Sequence, residues 1–532
     1  MSDKKYFYIT TPIYYASANL HIGHAYCETI TDTIARYKRL RGYEVFFLTG
    51  ADEHGEKIAK NAAKANTDPQ SFVDEIAENF KRVWSAMGIT YNGFIRTTSP
   101  KHMEVVQKVF TKLLEQGDIY LGEYEGWYCT PCEAFWTSTQ VGENHICPDC
   151  GREVHKEKQK AYFLNCKKYV PALLDFYKSH PDFVPNGKLN EMINTFIKPG
   201  LEDLCITRSE LSWGVPIKED PKQVVYVWID ALLNYISALG YLSDDDSLFK
   251  KFWSDESVIV QFAGREINRF HTIYWPILLL ALGLRLPDTI YVHGMLLTRS
   301  GVKLSKSLGN APSPLPLIER YSVDALRYYM VSEVKVGEDG TFTPTQFINR
   351  INSDLVNSYG NLLNRSLAMV KKYFNGIVPE IKEFKDPNTI KLFEDIDLAI
   401  ENYQLSMDKY NVTEGAYHAI SIANLANKYV DTMAPWALSK DPSKLEALKE
   451  TMYALCEAIR VASIALKPFL VTKADDALSQ LNVKGELTEY SSIKSHFGLS
   501  NIEIGETHTL FPRLNVNDEQ AFLTELIDGK TK

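Results

Sequence analysis

Nowhere in the 532 residues is there the apolar run of roughly 20 positions that a membrane-spanning helix needs. The longest candidate, around Trp275 to Leu284, reads as a buried helix beside Pro287. A cleaved leader is missing as well. Tyr6-Phe7-Tyr8-Ile9 already reads as a strand, which leaves no room for one and places the chain in the cytoplasm by default. A positive excess is also missing. The formal net charge of −9 argues against sequence-blind nucleic-acid binding through a broad positive field, while leaving room for an RNA met by local basic patches. Cysteine is sparse: eight in so long a chain make no disulfide framework. Short repeats and low-complexity segments do not occur. What is present, 45% apolar and 23% charged residues, is the composition of a soluble globular enzyme. The length implies roughly three or four domains.

The first stretch alternates strand and helix. Phe7 to Thr11 and Glu44 to Gly50 read as strands, Leu20 to Arg41 as a long helix ending at Gly42, and Asp52 to Lys64 as helical again. A βαβ opening of this kind predicts a parallel sheet. The alternation resumes after an insert, with strands at Val224 to Trp228, Val258 to Ala263 and Thr289 to His293, and a helix from Glu266 to Leu282. From about Phe347 the apolar positions recur at helical spacing, through Leu355, Leu362, Leu363 and Met369, then Ile420 to Val430 and Leu455 to Ile464. That predicts an all-helical domain. The residues from about Pro512 onward read as a polar tail. The expected division is 1–115 and 224–315 for the two halves of the α/β domain, 116–223 for the insert, 316–346 for a connecting segment and 347–532 for the helical domain and tail.

Two short motifs suit a nucleotide. Pro12-Ile13-Tyr14-Tyr15 is followed by His21-Ile22-Gly23-His24, which opens a helix just after the first strand. Helix N-terminal amides favour phosphate, Gly23 lets a flat base approach the backbone, and two imidazoles can donate to phosphate oxygens. Lys303-Leu304-Ser305-Lys306-Ser307, between Ser300-Gly301 and Leu308-Gly309-Asn310, is a glycine-flanked loop whose lysines could close over a triphosphate. Each motif alone also has an ordinary reading, a packing pair of histidines or a solvated basic turn. The insert carries Cys129-x2-Cys132 and Cys147-x2-Cys150, with Pro148 and Gly151 suited to tight turns. Two such knuckles signal one tetrahedral zinc held by four thiolates, with no open position and therefore structural. Cys27, Cys166, Cys205 and Cys456 read as small core residues. Asn357, Asn361 and Arg365 are spaced by four and share a helix face, and Trp436 follows Pro435 at a break.

The pairing of His-Ile-Gly-His with Lys-Leu-Ser-Lys-Ser, each after a strand, resembles the two signatures of class I aminoacyl-tRNA synthetases. Leu304 stands where that class usually has Met. Over essentially the whole chain the resemblance narrows to the methionyl-tRNA synthetases. It implies a split Rossmann-like catalytic domain, a zinc-binding connective insert and a C-terminal helical anticodon-binding domain. It also implies methionine–tRNA ligase activity: ATP-dependent formation of methionyl-adenylate, then transfer to the 3′ end of methionine tRNA. By the same resemblance His21, His24, Lys303 and Lys306 are catalytic, and His21, Gly23, His24, Gly264, Glu266 and Lys306 meet ATP. Asp52 holds the substrate amino group within Ala51-Asp52-Glu53-His54-Gly55. Ile13, Tyr15, Trp228, Ala231, Tyr235, Ile267 and His271 surround methionine with Asp52, and Phe270 adjoins His271. Aromatic rings suit a polarizable thioether. Asn357, Asn361, Arg365 and Trp436 meet the anticodon, where amides read base edges and an indole stacks an unpaired base. Magnesium accompanies ATP. The expected partners are ATP, L-methionine and the initiator and elongator methionine tRNAs, with no membrane. The chain stops after the helical domain, so a monomer is expected. Two alternatives stand: another class I ligase such as the cysteine enzyme, whose zinc contacts its thiol substrate, and a non-catalytic tRNA-binding or zinc scaffold.

Overall fold

The computed structural model describes residues 5–131, 134–136, 141–148, 150–185, 187–209, 211–297 and 311–527. They form two compact units. One comprises 1–20, 44–84 and 90–293; the other comprises 21–43, 85–89 and 294–532. The long helix Ile22–Leu40 therefore groups with the helical half of the chain.

In the first unit the chain begins with β1 (Tyr6–Thr10), β2 (Tyr14–Tyr15), β3 (Glu44–Asp52) and β4 (Gly93–Arg96). The insert then builds a four-stranded antiparallel sheet from β5 (Ile119–Cys129), β6 (Ala134–Trp136), β7 (His155–Leu164) and β8 (Leu204–Cys205), in the order β6-β5-β7-β8. A smaller antiparallel sheet follows from β9 (Thr207–Arg208), β10 (Val215–Pro216) and β11 (Val224–Val225). β12 (Ser257–Gly264) and β13 (Thr289–His293) return to the first sheet, whose pairings are all parallel: β13-β12-β1-β3. β2 takes over β1's side of β3 at Ala51 and Asp52, and β4 lines the other side. Parallel strands covered on both faces need continuous apolar runs, and Phe7, Tyr8, Ile9, Ile259, Val260 and Phe262 are all at most 1% exposed.

Three expectations need correction. The apolar run Val224 to Trp228 is not one strand. β11 stops at Val225, and Val227–Ser237 is a helix buried on nearly all sides. A short apolar run fits a buried helix as well as a buried strand, and only length separates them. The segment from Asp52 to Lys64 is likewise divided: β3 runs through Asp52 and the helix spans Glu56–Lys64.

Among its described residues the only strand pairing in the second unit is the short pair β14 (Leu296–Leu297) and β15 (Gly340–Thr341) and one isolated bridge, Ile377 to Glu503; its other regular elements are helical. Besides Ile22–Leu40, its long helices are Asn361–Phe374, Pro387–Asp408, Val412–Met433 and Leu445–Leu466. Gly415 leaves room for the Met407 side chain, whose sulfur would stand 2.3 Å from a Cβ there. Helix Ile22–Leu40 is fixed in this unit by a buried ion pair: Asp32 accepts from Arg327 Nη2 at 2.6 Å, and from Arg36 Nε of its own helix at 2.7 Å. The third correction is the tail. Val516–Ile527 is a helix with Leu523 and Leu526 buried, and Glu519 accepts from the Tyr321 hydroxyl at 2.6 Å and from Arg320 Nε at 2.5 Å. Its apolar stripe is narrow, and polar composition hides it. Among the described residues no helix is long and apolar enough to cross a membrane.

Candidate functional site

Strands β1, β3, β12 and β13 end at Thr10, Asp52, Gly264 and His293, all on one edge of the sheet. The chain leaves β1 for β3 on one side and reaches β12 on the other, and ligands of open parallel sheets bind at such a reversal, outside the carboxyl ends. Asp52 is 8% exposed and pairs in register with Tyr15, while its carbonyl accepts the Ala16 N–H at 2.8 Å. Ile13 lies against Gly50, where a Cβ would come within 3.0 Å of the Ile13 side chain and 2.2 Å of the Ile95 carbonyl. Glycine is therefore required at that approach. Gly264 closes β12 and caps the turn holding the exposed Glu266.

The aromatic set is built by the helix Val227–Ser237 and a π-helical turn at Phe270–Tyr274. Trp228 and Phe270 stack at 3.6 Å between ring centroids, 4° from parallel. Tyr235 is 1% exposed, and its hydroxyl lies 2.7 Å from His271 Nε2. His271 Nδ1 lies 3.0 Å from the Ile267 carbonyl, which can only accept. The proton therefore belongs on Nδ1, and Nε2 accepts from Tyr235. Burial lowers the His271 pKa to about 4, so this imidazole is neutral at physiological pH. Tyr8 donates to the Tyr235 carbonyl at 2.7 Å, tying the pair to β1.

The sequence reading gave no role to the buried polar network beneath this wall. Asp230, fully buried, meets His54 Nδ1 at 2.6 Å through one oxygen and His102 Nε2 at 2.9 Å through the other. Burial raises its carboxyl, but the two imidazoles outweigh that and hold it down at about 2. Glu53 is bound by Arg96 Nε at 2.7 Å and by the Thr98 hydroxyl, and burial still pushes its carboxyl up. His54 stands two residues from Asp52, and Asp230 is in the same helical turn as Trp228 and Ala231. The His54–Asp230 bond thus joins the two segments that sequence alone could only set side by side. His54 lies inside the Ala51–Gly55 motif and Asp230 lies between Trp228 and Ala231, but their pairing across 176 positions has no local signal.

In the second unit, His21 is the N-cap of Ile22–Leu40. Its Nδ1 accepts the Gly23 N–H at 3.0 Å, while His24 Nδ1 accepts the His21 N–H at 3.1 Å. The histidines form a reciprocal capping box, with rings 3.8 Å apart. Both Nδ1 atoms accept, so both N–H groups sit at Nε2. Gly23 is required here because a Cβ would lie 2.8 Å from the His21 ring. The Ile22 N–H donates to the Pro312 carbonyl at 3.0 Å. Lys303 and Lys306 lie outside the described residues.

The thiols of Cys129, Cys147 and Cys150 converge, all within 4.8 Å of one another and 3.5 Å between Cys129 and Cys150. A tetrahedral zinc with Zn–S bonds of about 2.3 Å spaces its sulfurs about 3.8 Å apart, so the cluster fits that ion. Gly151, at φ +70°, makes the turn in which its N–H bonds the Cys147 carbonyl. Cys132 lies outside the described residues. Cys27, Cys166, Cys205 and Cys456 are buried.

In the helical region Arg365 bonds Asp431 at 3.1 Å and stands 6.0 Å from the ring of Trp436, which is 45% exposed. Asn361 is exposed on the same helix. Asn357 belongs to a π-helical stretch, Ile351–Gly360, and accepts from Arg513, a residue with no earlier assignment.

The family model described as tRNA synthetases class I (M) matches residues 7–160 and 150–367. The anticodon binding domain of methionyl tRNA ligase matches 378–521. The methionine–tRNA ligase of Caldanaerobacter subterraneus subsp. tengcongensis is 47% identical over 99% of this chain and 82% of its own length. That of Bacillus subtilis is 45% identical over 98% and 80%. The structure of Mycobacterium tuberculosis methionyl-tRNA synthetase in complex with methionyl-adenylate superposes with a TM-score of 0.90 at 35% identity, covering 96% of this chain and 100% of the other. Sheet, helix start and helical domain therefore make this protein a class I aminoacyl-tRNA synthetase. Within the class the matches agree on one amino acid, and the chain belongs to the methionyl-tRNA synthetase family, the methionine–tRNA ligases. Neither the cysteine-enzyme reading nor the scaffold reading survives these matches.

Proposed function

We propose that this chain activates methionine at the carboxyl edge of its parallel sheet and passes it to methionine tRNA through the residues described above. It is a ligase of ATP, methionine and tRNA. The observation that carries the residue assignment is the neutral lining made by Tyr235 and His271 beside stacked Trp228 and Phe270, joined to the Asp52 segment through His54 and Asp230. An uncharged aromatic wall takes a thioether, and the Asp52 carboxylate takes the ammonium. Ile13, Tyr15, Ala231 and Ile267 complete the enclosure.

The methionine carboxylate attacks the α-phosphorus of ATP. A new P–O bond forms and the bond to the β-phosphate breaks, releasing pyrophosphate. A terminal ribose hydroxyl of tRNA then attacks the acyl carbon, and AMP leaves. The carboxylate is already a nucleophile, so the first step needs positioning and charge stabilisation rather than a base. His21 and His24 present Nε2–H donors at a helix N-terminus for the phosphates, Gly264 and Glu266 meet the ribose, and Lys306 with Lys303 stabilises the pyrophosphate charge. Magnesium, bound with ATP, neutralises phosphate charge. Cys129, Cys147 and Cys150 hold one structural zinc, with Cys132 as fourth ligand. Asn357, Asn361, Arg365 and Trp436 receive the anticodon.

The corresponding domains are 1–115 and 224–315 for catalysis, 116–223 for the insert, 316–346 for the connection and 347–532 for the anticodon. The proposal extends to a cytoplasmic monomer that charges initiator and elongator tRNAs, and light scattering should read one chain of 60.5 kDa. The functional test is charging: with ATP and methionine, the protein converts methionine tRNA to methionyl-tRNA with one AMP per ester. Formation of AMP without ester would overturn it.

A further inference from the structure

One cation in the first unit sits where the insert meets the aromatic wall. The Arg269 guanidinium carbon lies 4.6 Å from the ring of Trp136, 5.1 Å from Phe196 and 4.8 Å from Phe270. Trp136, in β6, is 2% exposed and belongs to the small core of Cys129, Val141, Cys147 and Val154. Phe196 comes from a π-helical turn of the insert, Ile193–Ile197. Phe270 stacks on Trp228. A continuous line of ring and guanidinium contacts therefore runs from the core of the cysteine knuckle, through Arg269, to the pocket wall.

We propose that Arg269 is a positioning residue that makes methionine affinity depend on the packing of the insert. The physical reason lies in the Trp228–Phe270 pair. Two rings stacked almost centre on centre set quadrupole against quadrupole, a geometry aromatic pairs avoid when left alone. A cation against Phe270 draws on that same quadrupole and anchors the ring. The guanidinium is planar and weakly hydrated, so it can lie among several rings, which a lysine ammonium does less well. Arg269 is itself held by Trp136 and Phe196, so a disturbance of the insert core reaches Phe270 through it. The insert thereby acts on the substrate pocket through Arg269.

This inference rests on the methionine-pocket reading, and a double-mutant cycle on the full-length protein separates the two. Methionine and ATP dissociation constants are measured by equilibrium dialysis for wild type, Arg269→Gln, Trp136→Leu and the double variant, beside melting curves. Arg269→Gln should weaken methionine about tenfold, which is about 1.4 kcal/mol, and leave ATP within about twofold. Trp136→Leu should weaken methionine in the same direction, and the double variant should be no worse than the worse single, because both cut one line. Arg269→Lys should fall between wild type and Arg269→Gln, and it replaces the latter in the cycle if Arg269→Gln does not fold. Fold-changes that multiply in the double variant, an unchanged methionine constant in Arg269→Gln, or equal losses for both ligands would overturn the relay. A wild-type protein that binds no methionine would instead overturn the pocket reading.

Discussion

At the scale of single residues, charge state decides what the site can bind. Asp52 is 8% exposed, and the proposal gives its carboxylate the methionine ammonium, in a nearly closed position where a charged hydrogen bond is strongest. Asp52→Ala should therefore raise the methionine dissociation constant far more than that of ATP, by equilibrium binding. Equal losses would remove the assignment. His271 supplies a pH signature. Its folded pKa is about 4, against an ordinary value of 6.5. Between those values the unfolded chain takes up a proton there that the folded chain refuses, so stability falls as pH falls, by about 1.4 kcal/mol per pH unit from this group. The loss starts near pH 6.5 and is complete near 4. Asp230 acts lower, from 3.8 down to about 2. Urea unfolding at pH 7 and pH 5 should show a steeper loss for wild type than for His271→Gln, the difference corresponding to about one proton. Parallel losses in the two proteins would contradict a neutral buried His271.

At the scale of elements, the cysteine knuckle is a small core beside three converging thiols whose spacing suits a metal. Metal analysis of protein purified without chelator should find one zinc per chain, and Cys147→Ala should lose it and melt the insert first, because ligand binding and local folding are coupled. No zinc, or two, would contradict this. The elements also show what sequence could carry. The parallel sheet was legible because β1, β3, β12 and β13 are apolar runs separated by helical spacing. The helical domain was legible from its 3.6-residue period. The Val224 to Trp228 run was misread because burial on all sides erases periodicity, and Val516–Ile527 because a few apolar positions suffice to dock a short helix. π-helical turns at Phe196, Phe270 and Asn357 shift side-chain direction within helices and leave no mark in composition. The buried His54–Asp230–His102 network joins three distant segments, so only the folded chain reveals it.

At the scale of the whole molecule, two chemistries are assigned to separate places: adenylate formation and anticodon recognition. Trp436 tests that separation. Its 45% exposure is that of a surface ring rather than a bundle anchor, and base–aromatic stacking is worth about 1–3 kcal/mol per base by alanine substitution. Trp436→Ala should lower tRNA charging by roughly one to two orders of magnitude, at about 1.4 kcal/mol per tenfold. Its melting curve and its methionine-dependent pyrophosphate exchange should stay close to wild type. A charging defect that tracks a lowered melting temperature would make Trp436 structural.

The central claim is that this fold activates methionine. ATP–pyrophosphate exchange measures that step alone, without tRNA, and can be run against a panel of amino acids. The account predicts exchange dependent on methionine and far weaker with cysteine, leucine or isoleucine. Exchange driven by one of those in preference to methionine, or no exchange with any amino acid, would contradict it.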